Sequence, residues 1–224
     1  MGTGQLSFAF DVRPAMDQED FLVAPCNEDA VAWIDAWPDW PGRALCLYGS
    51  PGCGKSHLAH VWRSRSGAVE VAADGLDSAA VGDLSAEVKC CVVEDAYPVA
   101  DETALFHLFN TIIERRGYLL LTAERPPSRW DIGLKDLRSR LLAVPSQEIG
   151  LPDEGLLGAV MIKMFADRQI DVSHDVLVYL VMRIERSFDG ARRVVDALDR
   201  AALAAHRRLT VPLARDVLKD LGMA

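Results

Sequence analysis

The sequence predicts an α/β fold, a mostly parallel sheet with helices on both faces, followed by a small all-helical domain. Three observations carry that expectation. From residue 43 onward, short apolar β-type runs alternate with amphipathic helical stretches, which is the pattern of successive βαβ units. The first strand-to-helix junction holds a glycine-rich loop ending in Gly54-Lys55-Ser56, a motif that belongs at such a junction. Beyond residue 151 only helix-period apolar runs remain.

Taken in order, residues 43–48 (RALCLY) read as a strand and residues 56–64 (SHLAHVWRS) as the helix that follows it. Residues 68–73 (AVEVAA), 88–94 (VKCCVVE) and 117–124 (GYLLLTAE) read as further strands, with a helix over 102–116 (ETALFHLFNTIIERR). The C-terminal runs 155–168, 173–185, 190–208 and 212–221 each repeat with helical spacing. Ser173 reads as an N-cap hydroxyl, and Thr210 with Pro212 as a helix start with proline in the first turn. The resulting division is a tail over 1–20, an α/β core over 21–150 and a helical lid over 151–224. In a parallel sheet of this kind the ligand edge lies at the carboxyl ends of the strands.

Composition narrows the function. Of 224 residues, 50% are apolar and 25% charged, an ordinary balance for a folded domain. No uncharged apolar run approaches the ~18 residues of a membrane span. The start MGTGQLSFAFDVRP lacks the basic and apolar regions of a signal peptide, so a cytoplasmic location is expected. A net charge of −9 argues against broad binding to the DNA backbone, which draws its affinity from Lys and Arg. The five cysteines, Cys26, Cys46, Cys53, Cys90 and Cys91, form no CxxC pair and have no histidine at ligand spacing. They read as buried free thiols rather than a zinc site. Trp33, Trp37 and Trp40 read as packing ahead of the first strand, Met161 and Met164 as bundle core, and Arg63 and Arg65 as a solvated helix end.

The chemistry concentrates in Gly49-Ser50-Pro51-Gly52-Cys53-Gly54-Lys55-Ser56, which fits GxxxxGK[ST]. Glycines let backbone N–H groups curl around phosphates, and the helix N-terminus adds positive potential. Lys55 reaches the outer phosphates and Ser56 offers a hydroxyl to Mg²⁺, so ATP or ADP with Mg²⁺ is the expected cofactor. Residues 88–95 (VKCCVVED) form an apolar strand ending in Glu94 and Asp95. Glu94 then stands where a Mg²⁺-holding acid is needed and Asp95 where a water-orienting acid is needed. Aspartate is the usual residue at the first position, and the reversed order implies slow intrinsic hydrolysis. Thr122, ending the strand GYLLLTAE, has two open readings: a polar sensor near the γ-phosphate, or a helix cap or turn residue.

Further segments resemble the bacterial replication-initiator (DnaA) family of AAA+ proteins, in its Hda branch. Phe21-Leu22-Val23-Ala24-Pro25-Cys26-Asn27 is similar to the family segment F-x-V-x-x-x-N that lies against adenine. Lys55-Ser56-His57-Leu58-Ala59-His60 resembles K-[ST]-H-L-x-H, which extends the nucleotide-binding segment through His57. Leu121 to Pro127 resembles the sensor-1 strand and its exit, which supports the sensor role for Thr122. Leu137-Arg138-Ser139-Arg140-Leu141 is similar to the segment whose last arginine is the arginine finger. Gly190-Ala191-Arg192-Arg193 resembles the start of the sensor-2 helix, with Arg192 as the lid arginine. Asp136 stands where initiators often carry another arginine, so that contact does not transfer. Taken without the family pattern, Arg140 reads rather as a surface arginine at a helix end, and Arg192 has the other reading of a solvated helix residue.

Read over residues 1–224, the expected plan is an ATPase-type core and lid without the initiators' N-terminal assembly domain or their helix-turn-helix domain, and it resembles the Hda branch. Gln5-Leu6-Ser7-Phe8-Ala9-Phe10 is similar to the peptide that docks on the replicative sliding clamp, the β subunit of DNA polymerase III. Leu6, Phe8 and Phe10 would fill apolar pockets while Gln5 sets register; a plain apolar tail is the other reading. The resemblance implies a negative regulator of replication initiation that binds the clamp and stimulates hydrolysis of ATP on the initiator through Arg140 in trans. Its own hydrolysis is then weak, DNA contact is indirect through the clamp, and head-to-tail assembly makes a homo-oligomer one of its states. The alternative is an AAA+ ATPase acting as a helicase loader, or a clamp-associated adaptor.

Overall fold

The computed structural model describes residues 22–77, 81–82, 87–205 and 208–223. They form two compact units. One comprises Asn27–Gly150, and the other joins Leu151 onward to the segment before Asn27. Residues 22–26 thus group with the helical unit, whereas the sequence assigns them to the core.

The first unit is built on a five-stranded, all-parallel sheet in the order β2-β3-β4-β1-β5. Its strands are β1 (Ala44–Tyr48), β2 (Val69–Ala72), β3 (Cys90–Glu94), β4 (Tyr118–Ala123) and β5 (Ser146–Glu148). Its helices, among the described residues, are α1 (Glu28–Asp35), α2 (Lys55–Ser66), α3 (Glu102–Glu114) and α4 (Lys135–Leu142). The three central strands are buried almost from end to end, as strands covered by helices on both faces must be. Their continuous apolar runs in the sequence reflect that. The paired registers Leu47 with Thr122 and Val93 with Leu121 bring the carboxyl ends of β1, β3 and β4 to one edge.

Between the sheet and α3 lies a core that includes Leu105, Leu108, Ile112, Leu119 and Leu121, each 1% exposed or less. Each such side chain contributes on the order of 1.5–3 kcal/mol by leaving water. Asp101 caps α3 by accepting the Ala104 N–H at 2.9 Å. The tryptophans pack as expected. Trp40 stacks on Trp62 with centroids 5.1 Å apart and donates its Nε1–H to the Trp33 carbonyl at 2.6 Å. Arg63 pairs with Glu70 and Arg65 with Asp35, on the surface at the far end of α2 from the glycine-rich loop.

Cys46 and Cys91 point into this core, and burial pushes their thiols up to about 12. None of the five cysteines forms a disulfide; four are buried and Cys26 is half-buried. Among the described residues no cluster of three or more His, Cys, Asp or Glu is placed to hold a metal ion, and no helix is long and apolar enough to cross a membrane.

The second unit packs α5 (Glu154–Asp167), α6 (His174–Val181), α7 (Phe188–Ala205) and α8 (Val211–Asp220). Leu157, Met161, Phe165, Leu180, Val194 and Leu198 form its core, each fully buried, with Met164 packed against it. Arg168, just past α5, donates to Asp196 of α7 at 2.5 Å and to the Met164 carbonyl at 2.8 Å. Pro212 lies in the first turn of α8 as expected. The cap at Ser173 is corrected: Ser173 occupies the N-cap position of α6, but its hydroxyl makes no capping bond. The caps that form are Asp153, which accepts the Leu156 N–H at 2.7 Å, and Ser187, which accepts the Gly190 N–H at 3.0 Å before Arg192.

Candidate functional site

After Tyr48 the chain leaves the sheet through residues 49–54 and enters α2 at Lys55. Gly49 is fixed by space. A Cβ there would lie 2.3 Å from the Ile149 carbonyl oxygen and 2.8 Å from Cys53 Sγ, both inside contact distance. Its N–H donates to the Ala123 carbonyl at 3.1 Å, which ties the loop to β4. Gly54, at φ 107°, forms the N-cap of α2 and brings no capping side chain. The first-turn N–H groups of α2 therefore face the loop mouth, and the first turn contains no acidic residue. Uncapped N–H groups and a positive helix end together make an anion-binding concavity.

Lys55 sits at the centre of it, only 7% exposed. Its Nζ donates to the Gly49 carbonyl at 2.8 Å and the Ser50 carbonyl at 3.1 Å. Among the described residues it pairs with no carboxylate, so its charge is left for a phosphate. Cys53 is 1% exposed. Desolvation raises its thiol above the ordinary value, outweighing the Lys55 charge that lowers it; a thiol held neutral is no nucleophile.

Ser56 Oγ donates to Glu94 Oε2 at 2.7 Å, so the two residues expected to share Mg²⁺ stand side by side across α2 and β3. A hydroxyl and a carboxylate are hard oxygen donors, and Mg²⁺ is commonly held by one or two protein oxygens with phosphate and water completing its shell. The residues present fit that ion. Asp95 follows at φ 49°, and its N–H donates to Thr122 Oγ1 at 3.0 Å. Thr122 lies within β4 and is fully buried, and its carbonyl accepts the Ala96 N–H at 2.8 Å. The cap and turn readings of Thr122 therefore fall away: this side chain ties the tip of β3 to β4.

Arg140 lies in the last turn of α4 and is exposed. Its guanidinium carbon is 5.5 Å from the Phe106 ring centroid and 5.9 Å from that of Phe109. It makes no hydrogen bond or ion pair with another described residue. Arg192 is exposed in the second turn of α7, in the helical unit. Asn27 is buried and precedes α1, and His57 is half-buried in the first turn of α2. Phe21, Gln5, Leu6, Phe8 and Phe10 lie outside the described residues.

Sequence reasoning missed two participants. Ile149 closes on Gly49 from just past β5, and Glu102 grips the start of α4 through two backbone N–H groups. Neither leaves a local signal, because each acts across a long stretch of chain.

The family model of the Hda lid domain matches residues 158–218, most of the four-helix unit. Residues 158–218 belong to the Hda lid-domain family. Solved structures agree on the fold. Domain III of the Thermotoga maritima replication initiation protein DnaA superposes with a TM-score of 0.77 at 20% identity, covering 89% of this chain and 94% of that one. AMPPCP-bound DnaA from Aquifex aeolicus gives 0.63 at 20% identity, over 86% and 74%. The Thermotoga maritima RuvB Holliday junction branch migration motor gives 0.66 at 15% identity, over 80% and 62%. The β2-β3-β4-β1-β5 sheet of this chain has the fold of the AAA+ core, and the four helices are a lid domain.

Proposed function

We propose that this chain is a negative regulator of replication initiation that completes the ATP site of the initiator DnaA with Arg140. The single observation that carries the reading is the state of Arg140. It is an exposed guanidinium at the end of a short helix, resting on aromatic faces and spending none of its donors on described neighbours. Its planar fork of donors is thereby available to a phosphate oxygen outside the molecule. An arginine finger supplied in trans raises hydrolysis by roughly 10³–10⁵-fold, or about 4–7 kcal/mol of transition-state stabilisation.

The chain's own nucleotide plays a supporting part. Gly49 through His57, with Lys55 central, bind ADP or ATP, Ser56 and Glu94 hold Mg²⁺, and Arg192 closes from the lid. Asp95 and Thr122 complete the edge, and Asp95 directs water only weakly. Intrinsic turnover is therefore slow and ADP is the working ligand. Gln5, Leu6, Phe8 and Phe10 dock on the sliding clamp, which places the chain on DNA without direct DNA contact and in the cytoplasm. Head-to-tail homo-oligomers would cover Arg140 until the initiator displaces a subunit.

The test is single-turnover hydrolysis of ATP preloaded on the initiator, with ADP-loaded chain and DNA-loaded clamp. Acceleration is expected for the wild type, with loss in Arg140→Ala and in a Gln5→Ala, Leu6→Ala double variant. No acceleration by the wild type would overturn the reading in favour of a loader or an adaptor.

A further inference from the structure

We infer that Glu102 is the positioning residue of the Arg140 finger, an inference that rests on the proposed trans role of Arg140. α4 is eight residues long, and its N-cap position is held by Leu134, whose side chain cannot cap it. Glu102, in the first turn of α3, supplies the missing acceptors: Oε1 takes the Gly133 N–H at 2.9 Å and Oε2 takes the Leu134 N–H at 2.6 Å. Both carboxylate oxygens are thus committed to successive amides at the point where α4 starts. A negative group at that end also suits the helix dipole.

The two ends of the short helix answer to one element. Glu102 fixes its start from the first turn of α3, and Phe106, one turn further along, lies under the Arg140 guanidinium at its end. Glu102 and Phe106 are four residues apart, a spacing that shares a helix face. Leu137 and Leu141, both 1% exposed or less, hold the middle of α4 on the core. Upstream, Trp130 stacks on Tyr97 with centroids 5.3 Å apart, and its Nε1–H donates to the Arg125 carbonyl at 2.7 Å. Trp130 therefore pins the segment before the helix, whereas Glu102 pins the helix start itself. Asp101 alone caps α3, so Glu102 is not needed to start its own helix.

Finger catalysis is sensitive to such placement, since a displacement of about 1 Å can cost on the order of a hundredfold in rate. In a trans assay, the maximal rate at saturating chain reports where the guanidinium sits, and the half-saturating concentration reports docking.

The experiment titrates ATP-loaded initiator with the full chain in its ADP form and clamp on DNA, comparing wild type, Arg140→Ala, Glu102→Gln and Glu102→Ala. Amide exchange at Gly133 and Leu134 and a thermal melt are followed for each. Glu102→Gln keeps the size but can accept only one of the two N–H groups. The expected result is a maximal rate lowered by roughly ten- to a hundredfold with little change in half-saturation. Faster exchange at the two amides and a melt close to wild type should accompany it. Full maximal rate in both Glu102 variants, with faster exchange at the amides, would overturn the inference while Arg140→Ala still showed the finger at work. A raised half-saturation with the maximal rate intact would also overturn it. Absence of acceleration by wild type, or full acceleration by Arg140→Ala, would overturn both this inference and the proposed function.

Discussion

Replacing Thr122 with valine keeps the shape of a fully buried side chain and removes one oxygen, the acceptor of the Asp95 N–H at 3.0 Å. The lost bond and the partly stranded N–H together cost about 1–2 kcal/mol, at the lower end for a buried donor because Asp95 is itself exposed. For a chain of this size that lowers the melting temperature by roughly 2–8 °C. Thr122→Ser keeps the oxygen and loses a buried methyl, at a similar cost of about 0.8 kcal/mol. Global stability therefore fails to distinguish them, and the local effect does. Asp95 has a left-handed φ of 49°, which disfavours a residue with a side chain by about 1 kcal/mol or more. The Thr122 hydroxyl and carbonyl together hold that turn in place. The decisive assay is amide exchange at Asp95. Exchange should accelerate by roughly five- to thirtyfold in Thr122→Val, the equivalent of about 1–2 kcal/mol of local stability, and stay near wild type in Thr122→Ser. Equal protection of the Asp95 amide in wild type and Thr122→Val would refute the reasoning.

Gly49→Ala must push the Ile149 carbonyl out of a 2.3 Å contact. The expected cost is about 1–3 kcal/mol, with weakened ADP binding in a calorimetric titration; wild-type affinity would show that the loop is not built around that contact. The thiols of Cys46 and Cys91 sit near 12 in the folded chain, against an ordinary 9.0. Their raised values leave stability intact below pH ~9 and drain it as pH rises toward ~12, by up to about 1.4 kcal/mol per pH unit for each thiol. Urea midpoints measured across that window should fall steeply in wild type and less steeply in a Cys46→Ala, Cys91→Ala double variant.

The central strands were legible because they are buried on both faces: ALCLY, CCVVE and YLLLTA leave no polar alternation to misread. β5 was not, because Ser146, Gln147 and Glu148 carry no strand pattern of their own. They are extended because β1 offers them an open edge, with Cys46 N–H donating to the Pro145 carbonyl and Ile149 N–H to that of Tyr48. α4 escaped notice for a related reason. KDLRSRLL is half charged, and its helicity rests on two buried leucines and an acceptor borrowed from α3.

The same contrast separates the two halves of the site. A phosphate loop works through backbone N–H groups, and the requirements of such a backbone, glycine where Cβ would clash and lysine at the helix start, are spelled contiguously between Gly49 and Ser56. A finger works through one guanidinium whose value depends on where the fold holds it. Arg140 is visible in the sequence only as a family resemblance, and what holds it, Glu102 on Gly133 and Leu134, lies 31 and 32 residues from its partners. Substitutions in the loop should therefore act on the chain's own nucleotide, whereas substitutions on the Glu102–Phe106 face of α3 should be silent in that assay and appear only when a partner's ATP is the substrate. The proposed function, with slow turnover of its own and chemistry in a partner, needs that separation, because a finger held by α3 keeps its place whichever nucleotide the loop contains.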